Sequence, residues 1–541
     1  GRTGGTNSGI NVSIGGTGGK GNYGGAVDVD NDGVIITEGD NSVGVLAQSI
    51  GGGGGQGGAA FSGVLRANNP EEPTRVSLAF GGEGGEGGYG SAVTVNNYNG
   101  VGTFGYRSSG IFAQSVGGGG GVGGTSTVMT AEGDQGAQNV SLALGGSGGS
   151  AATGGVVTVN NLLTENSEGV ISTYGNSAHG IVAMSVGGGG GDAGGSYIVN
   201  RQGTTDAAMQ AKAISVALGG AGGEGGTGGA VNVKNEGIIV TRGDRAHGIY
   251  ATSIGGGGGN GGTSFIGEYV LGLPSLSGGN EANLQLAVGG AGGDGNFGGN
   301  VLVENSGTIT VNGEQAFGIY AQSVGGGGGT GGMAITASKD IVNYKEPVKS
   351  LQKIAVGGFG GDANNGGDVK VLHTGDIFVN GNDSIGIFAE SIGGAGGHAG
   401  SSISSPVWMA ADLLLDFLVG GGNNGQAGDV SVEYEGNIVI AEDATGSQGV
   451  ILQKINGGGG NSDFYYDLSQ QAKQLGEGGY DLPNNEGFKD QAFGFIKGTL
   501  KAGGEAIHPD ANLGEESPAP TSFDVEGGVF GQAANGLGTL T

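Results

Sequence analysis

Apolar and polar positions alternate over short stretches of this chain, and the same stretches return at a fixed interval. The clearest is a pair of valines two residues apart, at 27 and 29, 93 and 95, 157 and 159, 231 and 233, 301 and 303, 369 and 371, and 430 and 432. Period-two alternation puts both valines on one face, which predicts a half-buried strand. An Asn-x-Gly turn follows at Asn31 to Gly33, Asn235 to Gly237 and Asn305 to Gly307, read as a turn because Asn and Gly tolerate left-handed backbone angles. The next strand carries Ile35, Ile171, Ile239, Ile309, Ile377 or Ile438. Ahead of the valine pair lies another short strand: VSI at Val12, VSLAF at Val76, VSLAL at Val140, ISVAL at Ile214 and LQLAV at Leu284, with weaker copies at Ile354 and Phe417.

The last strand of each unit runs into glycine. GVLAQSIGGGGGQGG from Gly44 returns as GIFAQSVGGGGGVGG from Gly110, GIVAMSVGGGGG from Gly180, GIYATSIGGGGGNGG from Gly248, GIYAQSVGGGGGTGG from Gly318 and GIFAESIGGAGG from Gly386, with an eroded seventh copy from Gly449. Its serines, at 49, 115, 185, 253, 323 and 391, lie 66, 70, 68, 70 and 68 residues apart. A fixed period along a long chain means a stacked array sharing one core. A second glycine tract joins the VSLA strand to the valine pair in every unit, as GGEGGEGGYG from Gly81 or GGAGGEGGTGG from Gly219, with a period of three.

Short β-branched strands, Gly and Asn turns and recurring positions predict an all-β fold, a parallel β-solenoid (β-helix) of about seven units over residues 1–460. A unit this long suggests two or three coils each. Residues 461–541 break the pattern and are expected to form a C-terminal cap or tail with short helices. Phe464, Leu468, Ala472 and Leu475 fall at helical spacing after Ser462 or Asp463 as an N-cap, and a second helical stretch spans Phe488 to Leu500. Variable segments always fall between the five-glycine tract and the next VSLA strand: Ala67 to Arg75, Leu271 to Asn283 and Lys339 to Lys353. Insertions at one phase of a repeat project from one face, where solenoids carry recognition or simply tolerate loops.

Composition sharpens this picture. Glycine supplies 138 of 541 residues, and ordering each costs roughly 0.5 to 1 kcal/mol more than ordering alanine. Tracts that keep their count must therefore be held by close backbone contact. Gly257, in the middle of the fourth tract, is expected to touch neighbouring backbone, so that a valine there would clash. The formal charge of -29, from 20 Lys and Arg against 49 Asp and Glu, opposes nucleic acid and anionic membranes as partners. With no cysteine, disulfides and thiolate chemistry are excluded. Val407 to Val419 is too short and too interrupted by Asp412 and Asp416 for a spanning helix. Opening on Gly1 without a signal peptide, the chain is expected to be a processed part of a longer product.

VSLALGG, glycine doublets, VTVNN, a Gly-x-Ile strand and GIxAQSIGGGGGxGG together resemble the glycine-rich passenger repeats of large bacterial autotransporters (type V secretion), over about residues 10 to 460. That resemblance implies export, translocation by an outer-membrane β-barrel, and display of an elongated stalk or fibre at the extracellular bacterial cell surface for adhesion, aggregation or biofilm formation. A membrane is reached only through such a barrel, absent from this chain. A weaker likeness is to polyglycine-sandwich phage adhesins. It implies that the GGxGGxGG tracts pack as polyglycine II helices beside the solenoid, every x pointing one way.

No catalytic, cofactor-binding or metal-binding residue is assigned. Asp28, Asp30, Asp32 and Gly33 open like a calcium loop, but Gly39 stands where a bidentate Glu is required. His179 and His247 align with Val43, Phe317 and Ile385, which marks a packing slot. The serines from Ser49 to Ser391 lack a companion His and Asp set and read as a stacked hydroxyl ladder. The function expected is a non-enzymatic extracellular structural or adhesive protein with no cofactor, associating head to tail into a fibre and open to a cell-surface or carbohydrate ligand. The alternative is a β-helix carbohydrate-active enzyme, a polysaccharide lyase or hydrolase, which would need a unique acidic groove.

Overall fold

The computed structural model describes residues 9–66, 74–132, 138–165, 167–204, 212–272, 280–340, 349–407, 413–417, 419–462 and 465–467. The first unit contains β1 (Gly9–Ile14), β2 (Val27–Asn31), β3 (Ile35–Thr37), β4 (Val45–Ile50) and β5 (Ala60–Arg66). Each begins a seven-stranded sheet to which every later unit adds one strand, except that the fifth sheet ends on Tyr465–Asp467. We call these sheets A to E in chain order. Neighbouring strands are parallel, and equivalent residues pair: Val29 with Val95, Val95 with Val159, Val159 with Val233. The fold is thus an all-β parallel solenoid.

One unit makes one coil, which corrects the expectation of two or three. Ser49 pairs with Ser115, and Ser115 with Ser185, one full unit away each time. The glycine tracts explain the length of the coil. They carry the chain out from sheet A to sheet B, and back from sheet D to sheet E, before the next coil begins. Each pass is long: sheet A strand, tract and sheet B strand from Gln138 to Asn161 cover about 24 residues at ~3.1–3.3 Å each, roughly 75 Å. Seven coils at ~4.8 Å rise only ~34 Å. Over the described residues the array is therefore wider across the coil than along its axis.

At one end of the coil, sheets B, C and D enclose the main core. The valine pairs, the isoleucines of sheet C and the Ile and Ala of sheet D stack there, with Val95, Val159, Val303 and Val371 fully buried and Val233 nearly so. The expected valine column is continuous, its first member Val29 being only partly buried against it. At the other end, sheets A and E face each other across small residues, among them Ala79, Ala143, Ala217 and Ala287 opposite Val128, Ile198 and Ile266. Because Ser and Ala of the VSLAL strand point inward, its Val and Leu line the outer face of sheet A and are only half-buried.

Between the two ends the tracts pack as a bundle. In the glycine tract that follows β4, the first glycine N–H of each doublet donates along the axis to the next coil, as Gly51 to Val116 and Gly54 to Gly119. The second donates across to the other tract, as Gly52 to Asn22, Gly55 to Gly19 and Gly58 to Gly16. Those partners run in opposite directions, so the tracts are antiparallel. The third residue points outward. The donors repeat every three residues, and no tract glycine lies in the left-handed region.

Left-handed angles appear elsewhere. Asn41, Arg107, Ser177, Arg245, Gln315 and Asp383 all have φ between 50 and 57° at the corner between sheets C and D. Each donates its N–H to the next coil, as Asn41 does to Tyr106. The Asn-x-Gly turns at Asn31 to Gly33, Asn235 to Gly237 and Asn305 to Gly307, by contrast, have no left-handed residue, which corrects the reason expected for them. Tyr465–Asp467, inside the stretch with helical spacing, pairs instead with Ser402–Val407 of sheet E. The rest of the cap, including Phe488 to Leu500, lies outside the described residues, as does most of each variable segment. All of these segments connect sheet E of one coil to sheet A of the next.

Candidate functional site

The repeated serines sit in sheet D with hydroxyls turned inward, and Ser115 to Ser391 are fully buried. Each hydroxyl joins two coils. Ser253 Oγ donates to the Gly229 carbonyl of its own coil at 2.8 Å and accepts the Gly299 N–H of the next at 2.8 Å. Ser185 and Ser323 repeat both bonds. The hydroxyls therefore fasten sheet D to the end of the first glycine tract rather than to one another. A Cβ on Gly228 or Gly298 would meet the serine oxygen at about the length of a hydrogen bond, so glycine at that point leaves room for the bridge.

The asparagines that close sheet B form a buried amide ladder. Asn97 Nδ2 donates to Asn161 Oδ1 at 2.7 Å, Asn161 to Asn235 at 2.7 Å and Asn235 to Asn305 at 2.6 Å. The second Nδ2 hydrogen of Asn161, Asn235 and Asn305 goes to the carbonyl of the following turn glycine. These asparagines are thus selected for side-chain hydrogen bonding, not for backbone angle. His373 ends the ladder, its Nδ1 2.9 Å from Asn305 Nδ2.

His179 and His247 occupy one outward column just before sheet D, stacked on each other at 4.8 Å, with Phe317 next at 4.8 Å from His247. Tyr250, Tyr320 and Phe388 form the adjoining column. His179 Nδ1 accepts the His247 N–H, and His247 Nδ1 accepts the Phe317 N–H, both at 3.0 Å. Both rings must therefore be neutral, with the proton on Nε2. Burial lowers His179 to about 4, and burial together with the His179 charge lowers His247 to about 3. In the unfolded chain each titrates near its ordinary value of about 6.5. Stability held above that value is lost as pH falls, by up to ~3 kcal/mol per ring at pH 4. Melting curves between pH 7 and pH 4 should show this loss, and His179→Phe with His247→Phe should flatten the pH dependence. An equal slope in the double variant would assign the acid sensitivity to the carboxylates.

Acidic and amide side chains on the outer surface serve the same stacking. Asp294 Oδ1 accepts the Asp362 N–H at 2.8 Å, Asp362 accepts from Asn423 at 2.7 Å, and Asp192 from Asn260 at 2.9 Å. Asp28 and Asp30 occupy outward positions of β2, with Asp30 accepting from Asn96 at 2.9 Å. Among the described residues no three His, Cys, Asp or Glu side chains gather as metal ligands. His398 accepts the Asn461 N–H at 3.1 Å, and His508 lies outside the described residues. A cluster unmarked by periodicity sits at the corner after sheet C. There Phe104 stacks on Tyr174 at 4.6 Å and the Arg242 guanidinium lies 4.1 Å above the Tyr174 ring. Its members differ in type from coil to coil, so only their shared phase could have marked it.

No protein-family model, no curated protein and no solved structure matches this chain.

Proposed function

We propose that this is a non-enzymatic extracellular structural and adhesive protein, whose coils present repeated side-chain columns and associate with further copies of the chain. One observation carries the reading: the outer face of sheet A is apolar on strand after strand. Val76, Leu78 and Phe80, then Val140, Leu142 and Leu144, then Ile214, Val216 and Leu218 all point outward, with Leu284, Leu286 and Val288 continuing the columns in register. Contiguous apolar surface of this extent marks an interaction site. Six strands at ~4.8 Å by about five residues at ~3.3 Å give a face of roughly 480 Å² before side-chain relief, more than half of the ~800 Å² per partner of a stable protein interface. The occupant we assign is the same face of a second copy.

The serines, asparagines and histidines that could suggest chemistry are engaged in joining coils, which supports a structural use. Sedimentation and electron microscopy of the purified chain test the proposal. Concentration-dependent pairing or fibres are expected, with pairing lost in Leu142→Glu combined with Leu286→Glu while circular dichroism stays unchanged. A chain that remains monomeric at all concentrations, or activity on a polysaccharide panel, would overturn it.

A further inference from the structure

Lys353 is completely buried in the seam between sheets A and E. The residue beside it in the ladder is Gln285, 1% exposed. From the opposite sheet, Glu268, 3% exposed, accepts a hydrogen bond from Gln285 Nε2 at 2.5 Å. At the positions equivalent to Gln285 and Glu268, earlier coils carry neutral groups. Ser77, Ser141 and Ser215 occupy the sheet A position, and opposite them Asn200 bonds Ser215 at 2.7 Å and Thr130 at 2.6 Å. The fold therefore does not require an amine, a carboxyl and a carboxamide here, and burying such charges carries a penalty of several kcal/mol per ion. Among the described residues, Gln285 Oε1 is also buried without a hydrogen-bond partner.

We propose that Lys353 and Gln285 join in an intramolecular isopeptide bond, with Glu268 as the proton-transferring catalytic residue. In a low-dielectric seam the neutral forms of an amine and a carboxyl are favoured, so a proton passes from Lys353 Nζ to Glu268. The Nζ lone pair then attacks Gln285 Cδ. As the Nζ–Cδ bond forms and the Cδ–Nε2 bond breaks, the Glu268 carboxyl gives its proton to Nε2 and takes one from Nζ. Ammonia departs and carries the last proton from Glu268 to solvent as ammonium, which restores the carboxylate. No oxidant or activating group is needed, and confinement of the reacting groups supplies the proximity. The product ties two successive coils together beside the variable segment that joins them.

Intact-mass spectrometry of the full chain is the test, followed by proteolysis. The expected mass is that of the sequence less one ammonia, with a branched peptide linking Gln285 to Lys353. Glu268→Gln keeps both partners and should restore the sequence mass, as should Lys353→Met. A wild-type chain of full sequence mass with linear peptides at both positions would overturn the proposal. So would a mass deficit that persists in Lys353→Met, because the ammonia would then have come from elsewhere.

Discussion

Gly258→Ala is expected to destabilise the protein by about 3 kcal/mol or more, at the upper end of what overpacking costs, while Gly257→Ala beside it leaves the melting temperature unchanged. A methyl on Gly258 would overlap the backbone carbonyl of Gly293 in the facing tract. That carbonyl cannot retreat cheaply, since Gly293 itself donates to Gly259 and both tracts are held along the axis. At Gly257 a Cβ meets nothing closer than the Gly327 oxygen at 3.4 Å. Gly257 is an outward position, so the expectation that a valine there would clash is corrected: the clash belongs to its neighbours. Thermal melts of the two alanine variants distinguish them, and equal behaviour would contradict the doublet geometry.

Val233→Asp is expected to open the middle of the array. Val233 is 2% exposed in the column that runs through the main core. Its loss forfeits roughly 1.5–3 kcal/mol of burial, and a carboxylate in its place has no partner, which adds several kcal/mol more. Stability of a stacked array is close to a sum of nearest-neighbour terms, so the fourth coil loses contact with both neighbours. Asn232→Asp, one residue away on the outward face, is the control and should change little. A melting temperature for Val233→Asp equal to the control would count against the buried column.

Much of this architecture was legible in the sequence, because alternation at period two names a buried face whatever the fold around it. The valine pairs, the strand order within a unit and the register between units all follow from that signal. Coil number did not, because unit length counts residues but not direction, and two antiparallel glycine tracts carry much of the contour out and back. The five-glycine run misled in one respect. It is two doublets flanking a spacer, and GGAGG, with Ala395 in the spacer position of the sixth copy, was the mark that one of the five tolerates a side chain. Asn235 reads as a turn former because propensity reports backbone preference, whereas its amide donates to Asn305 and Gly237. The left-handed corner had no mark at all: Arg107, Gln315 and Asp383 share φ but not chemistry, and the ladder to the next coil holds them there.

Amide hydrogen exchange across Gly255 to Gly259 tests most directly whether the centre of each coil is a polyglycine II bundle. Gly255 and Gly258 donate along the axis to Val324 and Gly327, Gly256 and Gly259 donate across to Gly226 and Gly223, and the Gly257 N–H has no acceptor among the described residues. The expected result is slow exchange at four glycines with fast exchange at Gly257 alone, repeated with a period of three in the neighbouring tracts. Uniformly fast exchange, or protection alternating with a period of two, would contradict the bundle.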